Sequence, residues 1–153
     1  MQIKRALFSV WNKDGIVELG QFLATQNIEI LSTGGTKELL EKAGLDITSI
    51  SFLTGIGAVM DGRVKTLHPK VFGGILADRE NPQHLHDLEY LHGMEIDIVV
   101  VNFYPFVQEV VEKKLKFKKA IEFIDIGGPS MIRAAAKNYH SVLPICNPGL
   151  YLE

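Results

Sequence analysis

The sequence contains only one cysteine, Cys146, and therefore cannot form an internal disulfide. A single thiol is typical of proteins from a reducing compartment. No apolar run approaches the roughly 20 residues that a membrane-spanning helix needs, and the first residues do not form a signal-peptide pattern. These absences predict a cytoplasmic protein that has no membrane partner.

Charge of one sign is not in excess. Lysine and arginine together number 16, aspartate and glutamate number 18, and the formal net charge is −2. A nucleic-acid partner is not expected, because the global basic field that attracts a phosphate backbone is missing. The densest basic run, residues 113–119, is more typical of a solvated helix and turn than of an anion site. Any bound anion must therefore be held by a local group of residues.

Metal-ligand patterns are missing as well. His84, His86 and His92 lie close together in the sequence, but residues two apart on a helix face different sides. No cysteine or carboxylate completes a recognisable ligand set around them. Cys146 lies in an apolar stretch and is predicted to be a small core residue rather than a nucleophile. The sequence therefore does not predict a metal site.

The hydrophobic pattern predicts alternating strands and helices in one folding unit, residues 1–153. Strands are predicted at residues 5–10, 29–31, 46–50, 96–101 and 142–146. Helices are predicted at residues 16–26, from the turn at 32–36 to Gly44, and at 82–92, 117–124 and 130–138. Residues 52–74 have no clear period and are predicted to be a long, functional loop region with short elements. The alternation is typical of an α/β sandwich around a mainly parallel sheet.

Polar segments follow three of the predicted strands, at residues 11–13, 32–36 and 102–104. In such sheets ligands bind beyond the carboxyl ends of the strands, so these segments are expected to gather on one rim. Trp11, in the first of them, is predicted either to stack on a base or to cover the core.

Several segments contain residues suited to an anion or to acid-base chemistry. Residues 32–36, with the letters STGGT, follow a strand and open a helix, where backbone N–H groups can meet a phosphate. The same letters also make an ordinary turn and helix cap. Arg63 and Lys65 place two cations in one loop, and Asp125 precedes two glycines and a proline that can start a helix. Arg133 and Lys137 share a face of that helix, which could equally be a solvent-exposed basic stripe.

Several blocks, taken in order, cover essentially the whole chain and resemble one known family. They are residues 9–13, 32–36, 61–69 (DGRVKTLHP), 102–106 (NFYPF) and 124–138 (IDIGGPSMIRAAAKN). Together they are similar to the IMP cyclohydrolase domain of the bifunctional purine biosynthesis protein. The resemblance implies a methylglyoxal-synthase-like three-layer α/β sandwich, with a mainly parallel sheet and helices on both faces.

The resemblance also implies a reaction. In that family the carboxamide nitrogen of FAICAR (5-formamidoimidazole-4-carboxamide ribotide) attacks its own formyl carbon, and loss of water gives IMP without a cofactor. It implies catalytic roles for Lys65, Tyr104, Asp125 and Lys137, with Lys137 moving a proton or positioning Asp125. The substrate-binding residues that it implies are Ser9, Trp11, Asn12, Lys13, Thr33, Gly34, Gly35, Thr36, Arg63, Val64, Thr66, Val101, Asn102, Ile126 and Gly127.

Three points qualify this resemblance. Trp11 and Asn12 stand where many relatives have Ser-Asp, which affects the expected contacts of the first loop. The family's full-length protein is a homodimer, and its AICAR transformylase domain has no counterpart in this sequence. Two alternatives of the same fold remain: methylglyoxal synthase, which would not call for residues 63–69 or 102–106, and a non-catalytic nucleotide-binding regulatory module.

Overall fold

A computed structural model describes residues 2–151, in which five parallel strands form one sheet in the order β3-β2-β1-β4-β5. The strands are β1 (Arg5–Ser9), β2 (Glu29–Ser32), β3 (Ile47–Ser49), β4 (Ile98–Val101) and β5 (Leu143–Ile145). All four neighbouring pairs are parallel, so the sheet predicted as mainly parallel has no antiparallel pair among these strands.

The helices cover both faces of this sheet. They are α1 (Ile16–Thr25), α2 (Gly34–Lys42), α3 (Ile50–Thr54), α4 (Pro69–Leu76), α5 (Pro82–Tyr90), α6 (Phe117–Ala120) and α7 (Gly127–Lys137). A π-helix (Val107–Glu112) follows β4, a 3-10 turn (Ile121–Phe123) follows α6, and another (Pro148–Leu150) follows β5. Across the described part of the chain, each helix falls short of the length and apolarity that a bilayer crossing requires.

The central strands explain the layers. Alternate residues of a strand point to opposite faces, so Leu7 packs into one core while Ala6 and Phe8 pack into the other. The first core also contains residues of α3, α4 and α7, and the second contains residues of α1 and α2. Helices on both faces therefore bury the apolar runs of β1 and β4 completely, as the sequence predicts for a parallel sheet.

The strand order reverses beside β1. From β1 the chain builds outward through β2 to β3, and then returns to place β4 on the other side of β1. This switch point leaves a crevice outside the carboxyl ends of β1 and β4, where Ser9 pairs with Val101. Open α/β sheets bind their ligands in this position.

Two elements differ from the sequence-based expectation. The region at residues 52–74 contains most of α3 and the start of α4, whose first turn is formed by Pro69 after His68. The His68 imidazole Nδ1 accepts a hydrogen bond from the Lys70 N–H and so caps this helix. The hydrophobic pattern of the region, which has no clear period, did not indicate the helix. Cys146, predicted to lie in the core, is exposed because β5 ends one residue before it.

Candidate functional site

A cleft of about 650 Å³ lies over the switch point, a volume typical of small-molecule sites. Segments that follow β1, β2 and β4 form it together with the loop before α4 and the start of α7. Most of the predicted site residues line this cleft: Ser9, Trp11, Lys13, Thr33, Gly34, Gly35, Thr36, Arg63, Lys65, Thr66, Asn102, Tyr104, Asp125, Ile126 and Gly127. Asn12, Val64, Val101 and Lys137 do not line it.

The start of α2 forms one end of the cleft. Thr33 is extended and precedes the helix, and Gly34 has a φ of 55°, in the left-handed region where glycine is favoured. The first N–H groups of a helix have no partner within it, and they present partial positive charge. The Lys65 ammonium lies close by, because a Cβ on Gly34 would be 3.8 Å from its Nζ atom. Helix dipole and cation together make this end suited to a phosphate.

The Thr36 side chain has a structural role at this end. Its hydroxyl is buried and donates to the Val10 carbonyl oxygen at 3.1 Å, and the Val10 N–H lies 3.4 Å from the same hydroxyl. The side chain thus ties the end of β1 to the first turn of α2, and its hydroxyl is not directed at a ligand. Only the backbone N–H of Thr36 remains suited to an anion.

We therefore expect Thr36→Val to act mainly through stability. Losing a buried hydroxyl that serves two backbone groups should lower the free energy of unfolding by about 1–3 kcal/mol, whereas Thr36→Ser keeps the hydroxyl and should lose less. Chemical denaturation of the two variants and the parent measures this difference. Unchanged stability of Thr36→Val would contradict this structural role of the hydroxyl.

Lys13 supplies a second cation near the same end. Its Nζ atom donates to the carbonyl oxygens of Val10 and, at 3.2 Å, Trp11. Desolvation by partial burial lowers the pKa of this amine. The side chain is therefore held against the end of β1 rather than extended into solvent.

A tight turn at residues 59–64 presents the cations of the long loop. Val59 and Val64 exchange backbone hydrogen bonds of 3.1 and 3.3 Å as an isolated antiparallel bridge. Arg63 and Lys65, on either side of the bridge residue Val64, both line the cleft, whereas Val64 does not. Val64, predicted as a substrate contact, instead has a backbone role in this turn.

Arg63 forms an ion pair across the mouth of the cleft that the sequence does not indicate. Its guanidinium donates to both carboxylate oxygens of Glu122, which lies in the 3-10 turn after α6. The hydrogen bond from Arg63 lowers the pKa of the Glu122 carboxyl, and the hydrogen bond to Glu122 raises the pKa of the Arg63 guanidinium. Both side chains are exposed, so water screens this pair. Glu122 is 59 residues from Arg63 in the chain, and nothing local in the sequence marks it.

Asn102 organises the loop after β1. Its Oδ1 atom accepts hydrogen bonds from the N–H groups of Trp11 at 2.7 Å and Asn12 at 2.8 Å. Its Nδ2 atom donates to the Asn12 carbonyl oxygen at 2.9 Å. Asn12 lines a smaller neighbouring depression of about 370 Å³ rather than the main cleft. Val101, the last residue of β4, is fully buried in the core and cannot contact a ligand with its side chain.

Aromatic side chains line the cleft near Asn102. The rings of Trp11 and Tyr104 lie 4.8 Å apart between centroids at 49°, and Tyr104 meets Phe123 edge-on at 5.8 Å. Trp11 is 41% exposed, so it does not cover the core from its loop. Phe123 was not predicted from the sequence, because only the fold brings the turn after α6 to Tyr104.

Asp125 lies at the start of α7. Its Oδ1 atom accepts a hydrogen bond of 3.0 Å from the Gly128 N–H, which fixes the half-buried carboxylate on the first turn of the helix. A Cβ at position 128 would lie 2.5 Å from the other carboxylate oxygen, Oδ2, so a larger residue there would displace the carboxylate from this position. Within residues 2–151, Oδ2 makes no hydrogen bond. Asp125 thus caps the first turn of α7 and also lines the cleft.

Lys137 lies at the opposite end of α7. Ten residues separate it from Gly127, which is about 15 Å of helix at 1.5 Å per residue. Lys137 and Arg133 are both exposed. The structure brings together Lys65, Tyr104 and Asp125 but does not bring Lys137 of the same chain to them, so its catalytic role stays a prediction. No group of three or more metal-ligating side chains occurs among the described residues.

Known proteins share this architecture. A family model described as the MGS-like domain matches residues 15–130, more than half of the chain. The chain belongs to this family. The MGS-like fold and the three-layer arrangement predicted from the sequence are therefore confirmed.

Relatives of this MGS-like chain include the bifunctional purine biosynthesis protein PurH of Staphylococcus aureus, strains Newman and USA300. Each is 54% identical over 151 residues, which is 99% of this chain. The chain spans 31% of the length of these relatives. A crystal structure of ForH is 35% identical, with a TM-score of 0.81 over 99% of this chain and 76% of that one.

Proposed function

We propose that this MGS-like domain is an IMP cyclohydrolase, which closes FAICAR to IMP in purine biosynthesis. The observation that carries the proposal is the composition of the cleft. One end offers a helix N-terminus with Lys65 beside it, and the same cleft contains the Asp125 carboxylate and the Tyr104 phenol. The similarity to PurH, a protein named for purine biosynthesis, supports the same pathway.

The ribotide phosphate would bind at the start of α2. Backbone N–H groups of Gly34, Gly35 and Thr36 can donate to phosphate oxygens there, and the ammonium groups of Lys13 and Lys65 add charge. Binding this remote phosphate with a fixed loop places the base farther along the cleft. Orientation matters here, because both reacting groups belong to one molecule and only their rotamers need to be held.

The chemistry begins with a weak nucleophile. The carboxamide nitrogen attacks the formyl carbon, an N–C bond forms, and one proton leaves that nitrogen. We assign this proton to Asp125, whose Oδ2 oxygen is not used by the helix cap. The cap holds the carboxylate in one orientation, which is what a positioned base needs.

The formyl oxygen gains negative charge in the same step. We assign Lys65 and the Tyr104 hydroxyl to this oxygen, since both line the cleft and both can donate a hydrogen bond. The carboxylic acid formed on Asp125 returns its proton to this oxygen, which gives the carbinolamine and restores the carboxylate. The hydroxyl group then leaves as water with the proton of the former formamide nitrogen, and the Asp125 carboxylate can carry that proton from the nitrogen to the hydroxyl, so the residue ends the cycle as a carboxylate.

The purified domain is expected to convert FAICAR to IMP without added metal or folate, because every step above is a proton transfer or charge stabilisation by protein groups. The absorbance change of ring closure, followed before and after exhaustive chelation, measures it. Loss of turnover on chelation that a metal restores would contradict the proposal.

The same assay separates the alternatives that share the fold. Tight IMP binding without turnover would identify a regulatory module, and turnover of a triose phosphate would identify a methylglyoxal synthase. We favour the cyclohydrolase because Arg63, Lys65 and Tyr104 all line the cleft, and the synthase hypothesis gives no reason for residues 63–69 and 102–106. The expected cytoplasmic location stays a prediction.

A further inference from the structure

Tyr104 is held in place by its neighbours rather than by its own backbone. It lies in the irregular segment between β4 and the π-helix, and its side chain is 39% exposed. A phenol on such a segment can adopt several rotamers, and ordering a side chain costs entropy. Its ring packs against two others, the indole of Trp11 and the ring of Phe123, and these contacts limit its rotation.

The backbone of Trp11 is anchored by hydrogen bonds to two side chains. Its backbone N–H donates to Asn102 Oδ1 at 2.7 Å, and its backbone carbonyl oxygen accepts from Lys13 Nζ at 3.2 Å. The next residue, Asn12, makes two further hydrogen bonds with the same Asn102 side chain. The loop backbone is therefore fixed to the end of β4, and the indole ring projects from a defined position.

We propose that Trp11 is a positioning residue for Tyr104: the indole, anchored through Asn102, holds the Tyr104 hydroxyl where the formyl oxygen develops charge. This inference rests on the proposed function. The ring distance of 4.8 Å falls in the range of favourable aromatic pairs. Asn102, predicted as a substrate contact, acts in this arrangement through the loop. Three of its hydrogen bonds go to the backbone of Trp11 and Asn12.

The test is a double-mutant cycle on turnover. Trp11→Ala should lower kcat about three- to tenfold, the range that corresponds to one aromatic pair, and Trp11→Phe should recover most of it. In a Tyr104→Phe background, which lacks the hydroxyl, Trp11→Ala should cause no further loss of kcat, because the two changes remove one interaction. Tyr90→Ala removes an aromatic ring that is 80% exposed on α5 and serves as the control.

Three outcomes would overturn the proposal. Unchanged kcat in Trp11→Ala is one, and a full additional loss in the Tyr104→Phe background is another. A raised KM at normal kcat would show that the indole stacks on the base of the substrate instead.

Fluorescence tests the contact without using activity. Trp11 is the only tryptophan in the chain, so all intrinsic indole emission comes from this site. Tyr104→Ala and Asn102→Ala should each shift that emission, while Tyr90→Ala should leave it unchanged. If the parent protein does not turn over FAICAR, the proposed function fails even where these shifts occur. If the parent is active but Tyr104→Ala has the same indole emission as the parent, the positioning inference alone fails.

Discussion

Replacing Asp125 by asparagine is expected to lower the turnover of FAICAR by about 100- to 10,000-fold, the usual contribution of a general base. Asparagine retains an Oδ1 oxygen that can accept the Gly128 N–H, so the start of α7 should keep its cap. What is lost is the basic carboxylate oxygen. IMP affinity should change far less than turnover, because binding uses the phosphate end of the cleft.

Three measurements on Asp125→Asn decide between catalysis and capping: kcat, IMP affinity and melting temperature. Asp46→Asn is the matched control, because Asp46 is an exposed carboxylate just before β3. The amino end of β3, where Asp46 lies, is at the edge of the sheet opposite the cleft. If Asp125 only caps α7, asparagine, a comparable capping residue, should be nearly silent. Near-normal turnover in a folded variant would therefore remove Asp125 from the chemistry.

The sheet was predictable from the sequence because burial on both faces leaves a local signal. The last four residues of the run at 96–101 are all apolar and β-branched, and they form β4 (Ile98–Val101). Parallel strands end at one edge, so the polar segments after β1, β2 and β4 were expected to meet, and they do. The meeting of these three segments thus follows from the parallel arrangement of their strands.

Helix α4 was missed for a reason that lies in packing. Gly73 and Gly74 weaken its helical pattern, and glycine inside a helix is unfavourable. The structure explains Gly74, because a Cβ there would overlap the carbonyl oxygen of Met94. This close approach joins residues that are distant in the chain, so no local pattern can reveal it.

Side-chain direction was the other gap in the prediction. The letters around Thr36 indicate a phosphate loop, yet its hydroxyl points to Val10 and only its backbone faces the cleft. Likewise Arg63 was expected to meet an anion, and the structure gives it Glu122 as a partner. Both outcomes depend on neighbours that folding supplies. Sequence motifs therefore located the site better than they assigned individual atoms within it.

A large loss of stability is expected from Arg79→Met, at the opposite edge of the sheet from the cleft. The Arg79 guanidinium donates to the carbonyl oxygens of Gly74 at 2.9 Å, Ile96 at 3.0 Å and Ala77. It also lies 3.8 Å from the carboxylate of Asp97, whose side chain is 2% exposed. Methionine can fill the space but donates no hydrogen bond.

The consequence is a buried carboxylate without its cation. Asp97 Oδ2 would keep its hydrogen bonds from the N–H groups of Lys4 at 2.7 Å and Arg5 at 2.9 Å, but Oδ1 would lose its counter-charge. Removing one partner of a buried pair typically costs about 3–5 kcal/mol. That is a large part of the roughly 5–15 kcal/mol that stabilises a domain.

Denaturant unfolding of Arg79→Met, with Arg133→Met as control, measures the loss. Arg133 is an exposed arginine on α7, so its replacement should change the free energy of unfolding by less than about 0.5 kcal/mol. Adding Asp97→Asn to Arg79→Met should restore part of the stability, because the unpaired charge is then removed. A loss below about 1 kcal/mol in Arg79→Met would show that water reaches Asp97 and that the pair is not a structural requirement of this edge.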